Sequence, residues 1–290
     1  MLNSLLLFTL STQNCMNAQD EDTAIVIIHG FRVNAKYLQE LEDVVRRDLP
    51  NRHVVNLEIL FGTFSSIFES PERYARAAAS KILKKTQGYI CIDIIAHSQG
   101  AFVARQYIQF FASSQSVYPN VRSFVSLAGV LNGLYCKQNC PTQIMNYLDP
   151  LINQKSKSQF MVPSGYWRTD VVPLILCKLN GGCEANFSTT SAFYGMKINA
   201  LYSNSDEILV PTSTAKFGYV NDKGEEIIAE QLDEFKILGL NRIKQQGNYK
   251  AYQFDGFQHN SFVKEHVELT WVCVRGMISD LPSECPVLDK

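Results

Sequence analysis

Six apolar runs punctuate the chain, and the polar, helix-periodic stretches between them set its architecture. Thr23 to Ile28 is β-branched and almost wholly apolar, the pattern of a strand buried on both faces of a parallel sheet. Asn34 then caps a predicted helix whose apolar positions Leu38, Leu41, Val45 and Leu49 share one face, stopped by Pro50. A second strand is predicted over Val54 to Leu60. Ser70-Pro71-Glu72 opens a second helix, with proline in its first turn, an acid at its positive end, and Lys84, Lys85 and Gly88 closing it. Ile92 to Ala96 predicts a third strand, Gln99 to Phe111 a helix apolar nearly all round, and Val121 to Ala128 a fourth strand. Strands alternating with helices over short connections specify a parallel α/β sheet.

The alternation then stops. Between Gly129 and Met196 lie four cysteines, an amphipathic piece (Ile144, Tyr147, Leu148, Leu151) and an apolar run from Val171 to Leu176. So long an insert in a compact domain is expected to be a lid or binding segment, and it is read as a cap over about 130–196. Ile198 to Tyr202 resumes the sheet, Asn221 to Gly224 reads as a tight turn, Tyr249 to Phe254 as the last strand, and about Ser261 to Met277 as a terminal helix. No repeat or linker splits the chain, so 19–290 is read as one domain.

The third strand ends in Ala96-His97-Ser98-Gln99-Gly100, a serine between small residues at a strand-to-helix junction. That is the pattern of a nucleophile elbow, G-x-S-x-G with alanine in its first place. A serine hydroxyl needs an imidazole as base and a carboxylate to hold the imidazole tautomer. In the α/β-hydrolase fold, a mostly parallel sheet flanked by helices, these follow in the order serine, acid, histidine, each on a loop after a strand. Asp206, directly after the fifth strand, is the expected acid, with Glu207 second. Of five histidines, His259 follows the last strand, whereas His266 falls inside the terminal helix; His259 is the expected base. The backbone N–H groups of Gln99 and of Phe31, in His29-Gly30-Phe31 after the first strand, are the expected oxyanion donors.

Charge and cysteines narrow the picture. A formal charge of −1 without a basic stripe leaves no footprint for nucleic acid, and away from the N-terminus no apolar stretch is long enough for a membrane span. Leu2 to Leu10 is apolar and Ser11 to Ala18 polar with small residues, so 1–18 reads as a signal peptide. Cys15 would leave with it, and Cys91 would be a free buried thiol. The other six cysteines fall into close pairs, Cys136 with Cys140, Cys177 with Cys183 and Cys273 with Cys285, which suits an oxidising compartment. Their spacings lack the paired partners of a zinc site; neither metal nor cofactor is expected. The sequon Asn186-Phe187-Ser188 fits a secreted or lysosomal route.

With these pieces placed, the chain resembles the palmitoyl-protein thioesterase family, nearer its lysosomal second branch. The matching stretches are Val26-Ile27-Ile28-His29-Gly30, Ser98-Gln99-Gly100, Phe124-Val125-Ser126-Leu127, Tyr166-Trp167, Asp206-Glu207-Ile208-Leu209-Val210-Pro211, Phe217-Gly218 and His259. Ala96 and Ala101 depart from glycines common in that family. The resemblance implies Ser98 as nucleophile, Asp206 as acid, His259 as base, Phe31 and Gln99 as oxyanion donors, and fatty-acyl thioesters of protein cysteine or coenzyme A as substrates. Tyr147, Leu148, Leu151, Tyr166 and Trp167 are then candidates to line an acyl groove. An oxygen-ester lipase or carboxylesterase, and a non-catalytic lipid-binding protein on the same fold, are the competing readings; oligomeric state is left open.

Overall fold

The computed structural model describes residues 15–112, 117–135, 161–168, 172–183, 192–209, 211–221, 223 and 225–285. Its centre is a six-stranded, wholly parallel sheet. The strands are β1 (Thr23–Ile28), β2 (Val54–Leu57), β3 (Cys91–His97), β4 (Asn120–Leu127), β5 (Lys197–Ser203) and β6 (Tyr249–Phe254). In space they run β2-β1-β3-β4-β5-β6. Every residue of β1 and β3 is buried, as their largely apolar sequences lead one to expect. Helices α1 (Gln39–Asp48) and α4 (Val267–Ile278) pack together on one face, α2 (Pro71–Lys85) and α3 (Gln99–Gln106) on the other. This is the expected α/β-hydrolase architecture. The chain steps outward from β1 to β2 and returns past β1 to β3, so a crevice opens beyond the carboxyl ends of β1 and β3, where such sheets bind ligands.

Several elements differ from the sequence expectation for local reasons. Asn34 does cap, its side chain accepting from the Tyr37 N–H, but it caps a 3-10 turn, Ala35–Leu38, that precedes α1. β2 ends at Leu57; Leu60 then takes a positive φ of 52°, and a short helix, Ser65–Phe68, follows. The helix after Ser98 continues beyond Gln106 as a π-helical turn, Tyr107–Ala112. The terminal helix does not begin at Ser261. A 3-10 turn, Ser261–Val263, comes first, and α4 starts only at Val267, which leaves His259 on a loop closed by Ser261 N–H to the Gln258 carbonyl. Two helices, Asp233–Ile237 and Leu240–Gln245, occupy a stretch given no element above. The turn near Asn221 is as expected: its side chain accepts from Lys223 and Glu225 N–H groups between the paired strands Tyr219–Val220 and Glu226–Ile227.

Within the insert, Trp167–Arg168 pairs in parallel with Leu134–Tyr135, and Leu174–Leu179 is helical. Residues 136–160, which hold Tyr147, Leu148, Leu151, Cys136 and Cys140, lie outside the described residues, as does the sequon at Asn186.

The end of the sheet away from the crevice is held by charge and sulfur. Asp93, fully buried on β3, accepts from Arg52 at 2.7 Å and Arg122 at 2.6 Å. Both arginines also reach Asp20, and both donate to the Ile278 carbonyl at the end of α4; Arg122 further donates to the Ala18 carbonyl. Cys177–Cys183 and Cys273–Cys285 are disulfides, as their spacing suggested. The expectation that Cys15 leaves and Cys91 stays free is corrected, because the two form a disulfide across 76 residues. Residues 15–18 and Asp20 are bound into the domain by this bond and by Arg122.

Removing a native bridge of this kind typically costs about 2–5 kcal/mol. The variant Cys15→Ser/Cys91→Ala is therefore expected to lose that much in urea denaturation, and an unchanged midpoint contradicts the pairing.

Candidate functional site

β3 drives straight into Ser98, whose backbone (φ 55°, ψ −126°) lies where a side chain is strained. Hydrogen bonds hold it there: Ser98 N–H donates to the Leu127 carbonyl, and the Ser98 carbonyl accepts from Ala101 and Val130. The sharp turn throws α3 back against the end of β1. A Cβ on Gly100 would sit 2.4 Å from the Ile28 carbonyl oxygen and 2.7 Å from that of His29, so no side chain fits. Gly30 is constrained in the same way, since its Cβ would meet the Ser98 Cβ at 2.9 Å. Ala96 is accommodated as an ordinary buried β3 residue beside Ile28 and Ser126. The methyl of Ala101 is tolerated because Gly129 faces it, and a Cβ there would approach within 2.5 Å.

The loops after β5 and β6 bring two more groups to this turn. His259 Nε2 lies 2.8 Å from Ser98 Oγ, and His259 Nδ1 lies 2.9 and 3.1 Å from the two oxygens of Asp206. All three residues are buried. With the carboxylate accepting the Nδ1–H, Nε2 is left as the acceptor for the serine proton, the arrangement that turns a hydroxyl into a nucleophile. Burial works against ionisation of Asp206. The hydrogen bond and charge of His259, with the N–H groups of Leu209 and Ile208, more than offset it and hold the carboxyl below its ordinary value. Glu207, the second acid considered, does not face the imidazole; its carboxylate accepts the backbone N–H of His259 at 2.9 Å.

The remaining histidines sit elsewhere. His266 packs on Phe257, and His53 stacks on Tyr89 and bonds to the Lys85 carbonyl. His29 and His97 are buried beside the elbow. Burial lowers the pKa of His29. Burial, with the neighbouring His259, pushes His97 down to about 3. His97 Nε2 bonds to the His259 carbonyl, a contact that no motif advertised.

A cavity of about 350 Å³ opens over Ser98 and His259. Its apolar wall includes Phe31, Val33, Val130, Leu134 and Ile208, with Tyr166 contributed by the insert. Of the expected groove residues, Tyr166 reaches the cavity, while Trp167 is buried and does not line it. Phe31 lies at the cavity after β1, and Gln99 is the first residue of α3, where a helix leaves backbone N–H groups without intrahelical partners. The Gln99 side chain is engaged elsewhere: its amide donates to the Ser66 carbonyl and accepts from the Tyr166 hydroxyl at 2.8 Å. This bond, and the edge of Tyr166 against Phe102, fasten that part of the insert to the helix behind the serine. Among the described residues no cluster of three or more metal-ligating side chains occurs, and no helix is long and apolar enough to cross a membrane.

Residues 24–259 match the family model for palmitoyl protein thioesterases. The chain belongs to this family. Among curated relatives, palmitoyl-protein thioesterase 3 of Dictyostelium discoideum is 22% identical over 71% of this chain and 74% of its own. Lysosomal thioesterase PPT2-B of Xenopus laevis is 22% identical over 82% of this chain and 86% of its own. Two solved structures share the fold at low identity. A lin2722 gene product of Listeria innocua has a TM-score of 0.55 at 12% identity, over 92% of this chain and 96% of its own. Aspergillus fumigatus lipase B has a TM-score of 0.52 at 14% identity, over 87% of this chain and 51% of its own.

The buried imidazoles give this thioesterase-family fold a signature in pH. Unfolded, His97 takes up a proton near its ordinary value of 6.5; folded, it does so only near 3. Between those values acid favours the unfolded state. The melting temperature is expected to fall as pH drops through that window, and to fall less steeply in His97→Asn. Equal slopes in the two proteins would show that His97 is not held neutral by the fold.

Proposed function

We propose that the chain is a serine thioesterase that releases long-chain, palmitoyl-type fatty acids from thioesters of protein cysteine or coenzyme A. The observation that carries this reading is the unbroken chain of hydrogen bonds from Asp206 through His259 to Ser98, opening on an apolar cavity in a member of the palmitoyl protein thioesterase family.

In this mechanism Ser98 Oγ attacks the thioester carbonyl while His259 Nε2 takes the hydroxyl proton. Asp206, kept ionised, stabilises the imidazolium and holds its tautomer. The backbone N–H groups of Gln99 and Phe31 receive the negative oxygen; one such donor is worth about 3 kcal/mol in the barrier. The carbon–sulfur bond breaks, His259 returns the proton to the departing sulfur, and an acyl ester remains on Ser98. Water, deprotonated by His259, then attacks this ester, the fatty acid leaves, and Ser98 regains its proton. The insert, about 130–196, is assigned as the cap over this cavity, to which Val130, Leu134 and Tyr166 already contribute. Three disulfides among the described residues and the lysosomal name of the Xenopus relative support a route through the secretory pathway to a lysosome or the outside.

Purified protein is expected to cleave palmitoyl thioesters faster than the matched oxygen esters. Each methylene buried in a dry groove is worth about 0.8 kcal/mol, so kcat/KM should rise roughly fourfold per methylene until the groove is full. Ser98→Ala is expected to remove activity by on the order of 10⁴-fold or more. Preference for the oxygen ester would make the protein a lipase or carboxylesterase, and cleavage of neither would leave a lipid-binding protein.

A further inference from the structure

His259 is held not only at its ring but at its peptide. Glu207 Oε2 accepts the His259 backbone N–H at 2.9 Å, and His97 Nε2 donates to the His259 carbonyl at 3.1 Å. The two side chains come from different places, one from the carboxyl end of β3 immediately before Ser98, the other from the loop after β5 immediately after Asp206. Neither bond involves the atoms through which Ser98, His259 and Asp206 interact. We propose that His97 and Glu207 form a two-point clamp on the His259 peptide and act as positioning residues that fix the imidazole against Ser98 Oγ.

Three observations make a clamp at this place more than incidental packing. First, among the described residues β6 lies at the edge of the sheet with β5 as its one neighbour, whereas β3 is braced by β1 and β4. The base therefore hangs from the less supported strand and the nucleophile from the more supported one. Secondly, His259 sits between Phe254, where β6 ends, and Ser261, where the next regular turn starts, so no ladder hydrogen bond serves its peptide. The two side chains supply what sheet or helix would supply elsewhere. Thirdly, the clamp is kept at a cost. Because a carbonyl can only accept, His97 Nε2 must carry the hydrogen, which leaves Nδ1 as a bare acceptor, and Nδ1 is buried without a hydrogen-bond partner among the described residues. A buried polar atom left unsatisfied is unfavourable, and an apolar residue would avoid it. What the imidazole gains here is one directed bond to the base's own backbone.

The clamp rests on the proposed role of His259 but not on the identity of the substrate, so its test includes a reaction that needs no thioester. Phosphonylation of Ser98 by a fluorophosphonate depends on the same base and reports the same geometry. Displacing a reacting group by about 1 Å can cost on the order of 100-fold. Glu207→Ala is expected to lower both kcat for the palmitoyl thioester and the phosphonylation rate by roughly 10- to 100-fold, with KM within about twofold. Glu207→Gln keeps an acceptor oxygen without the charge, and is expected to restore both rates to within about threefold of the parent. His97→Leu should behave like Glu207→Ala, and the double variant should lose less than the product of the two single losses, since both release the same peptide. If His97→Leu does not fold, the exposed Glu207 pair decides alone. Parental rates in Glu207→Ala, a loss confined to KM, or a Glu207→Gln as impaired as the alanine variant would each overturn the clamp. Failure of the protein to cleave any thioester, with these phosphonylation effects intact, would instead overturn the substrate assignment.

Discussion

The site depends on one close approach, that of the start of α3 to the end of β1. The carbonyl oxygens of Ile28 and His29 lie where a Cβ on Gly100 would have to be, and Ser98 Cβ lies where one on Gly30 would be. Two backbones in such contact leave the chain between them no ordinary conformation, and Ser98 takes the strain, of order 1–3 kcal/mol for such a residue. The strain is useful because it lifts the hydroxyl out of the sheet and aims the first N–H groups of α3 at the same small volume. Surrounding bonds, from Ser98 to Leu127 and from Val130 to Ser98, over-determine the turn and keep it from relaxing.

How much of this could be read from the sequence follows from how each part is encoded. Strands buried in the sheet write themselves as largely apolar runs, even where Asp93 interrupts β3 and Arg122 and Ser123 interrupt β4, so β1, β3 and β4 were legible to within a residue or two. Ser98 was legible because the close approach demands small neighbours, and a demand on size leaves a local pattern. Asp206 and His259 were legible only as positions after strands; what brings them to Ser98 is strand order, which no local pattern carries. Apart from the two short helices between Asp233 and Gln245, the parts missed are those made by contacts distant in the chain. Nothing near Cys15 announces a partner 76 residues away. Glu207 looked like a spare acid because the expected acid precedes it in sequence, whereas its carboxylate accepts a backbone N–H contributed by another loop. His97 was absorbed into the elbow motif, and its bond to the His259 carbonyl has no signature of spacing.

The sheet divides its labour between its two ends. At the carboxyl ends of the strands stand Ser98, Asp206 and His259, buried and linked by hydrogen bonds beneath a largely apolar cavity. At the amino ends stand Asp93, Arg52, Arg122 and Asp20, whose paired charges gather the first turns of the domain and the last turn of α4 at one place. Isolated, a carboxylate as buried as Asp93 would be very unfavourable; with two guanidinium groups against it and carbonyl acceptors around them, the set is mutually satisfied. Such a set contributes more to specifying which segments meet than to raw stability, and β3 runs between the two ends carrying a member of each.

The position of β6 at the rim has a consequence for how this molecule would be inactivated. Among the described residues this strand has a single neighbour; such a strand opens in smaller fluctuations than one in the middle of a sheet, and His259 lies on the loop that follows it. On the proposed mechanism, gentle heating would therefore draw His259 away from a serine that is still rigidly presented, so that turnover fades before the core melts. In the cooled molecule the strand would zip back and recover function, which distinguishes such a reversible fatigue from true denaturation.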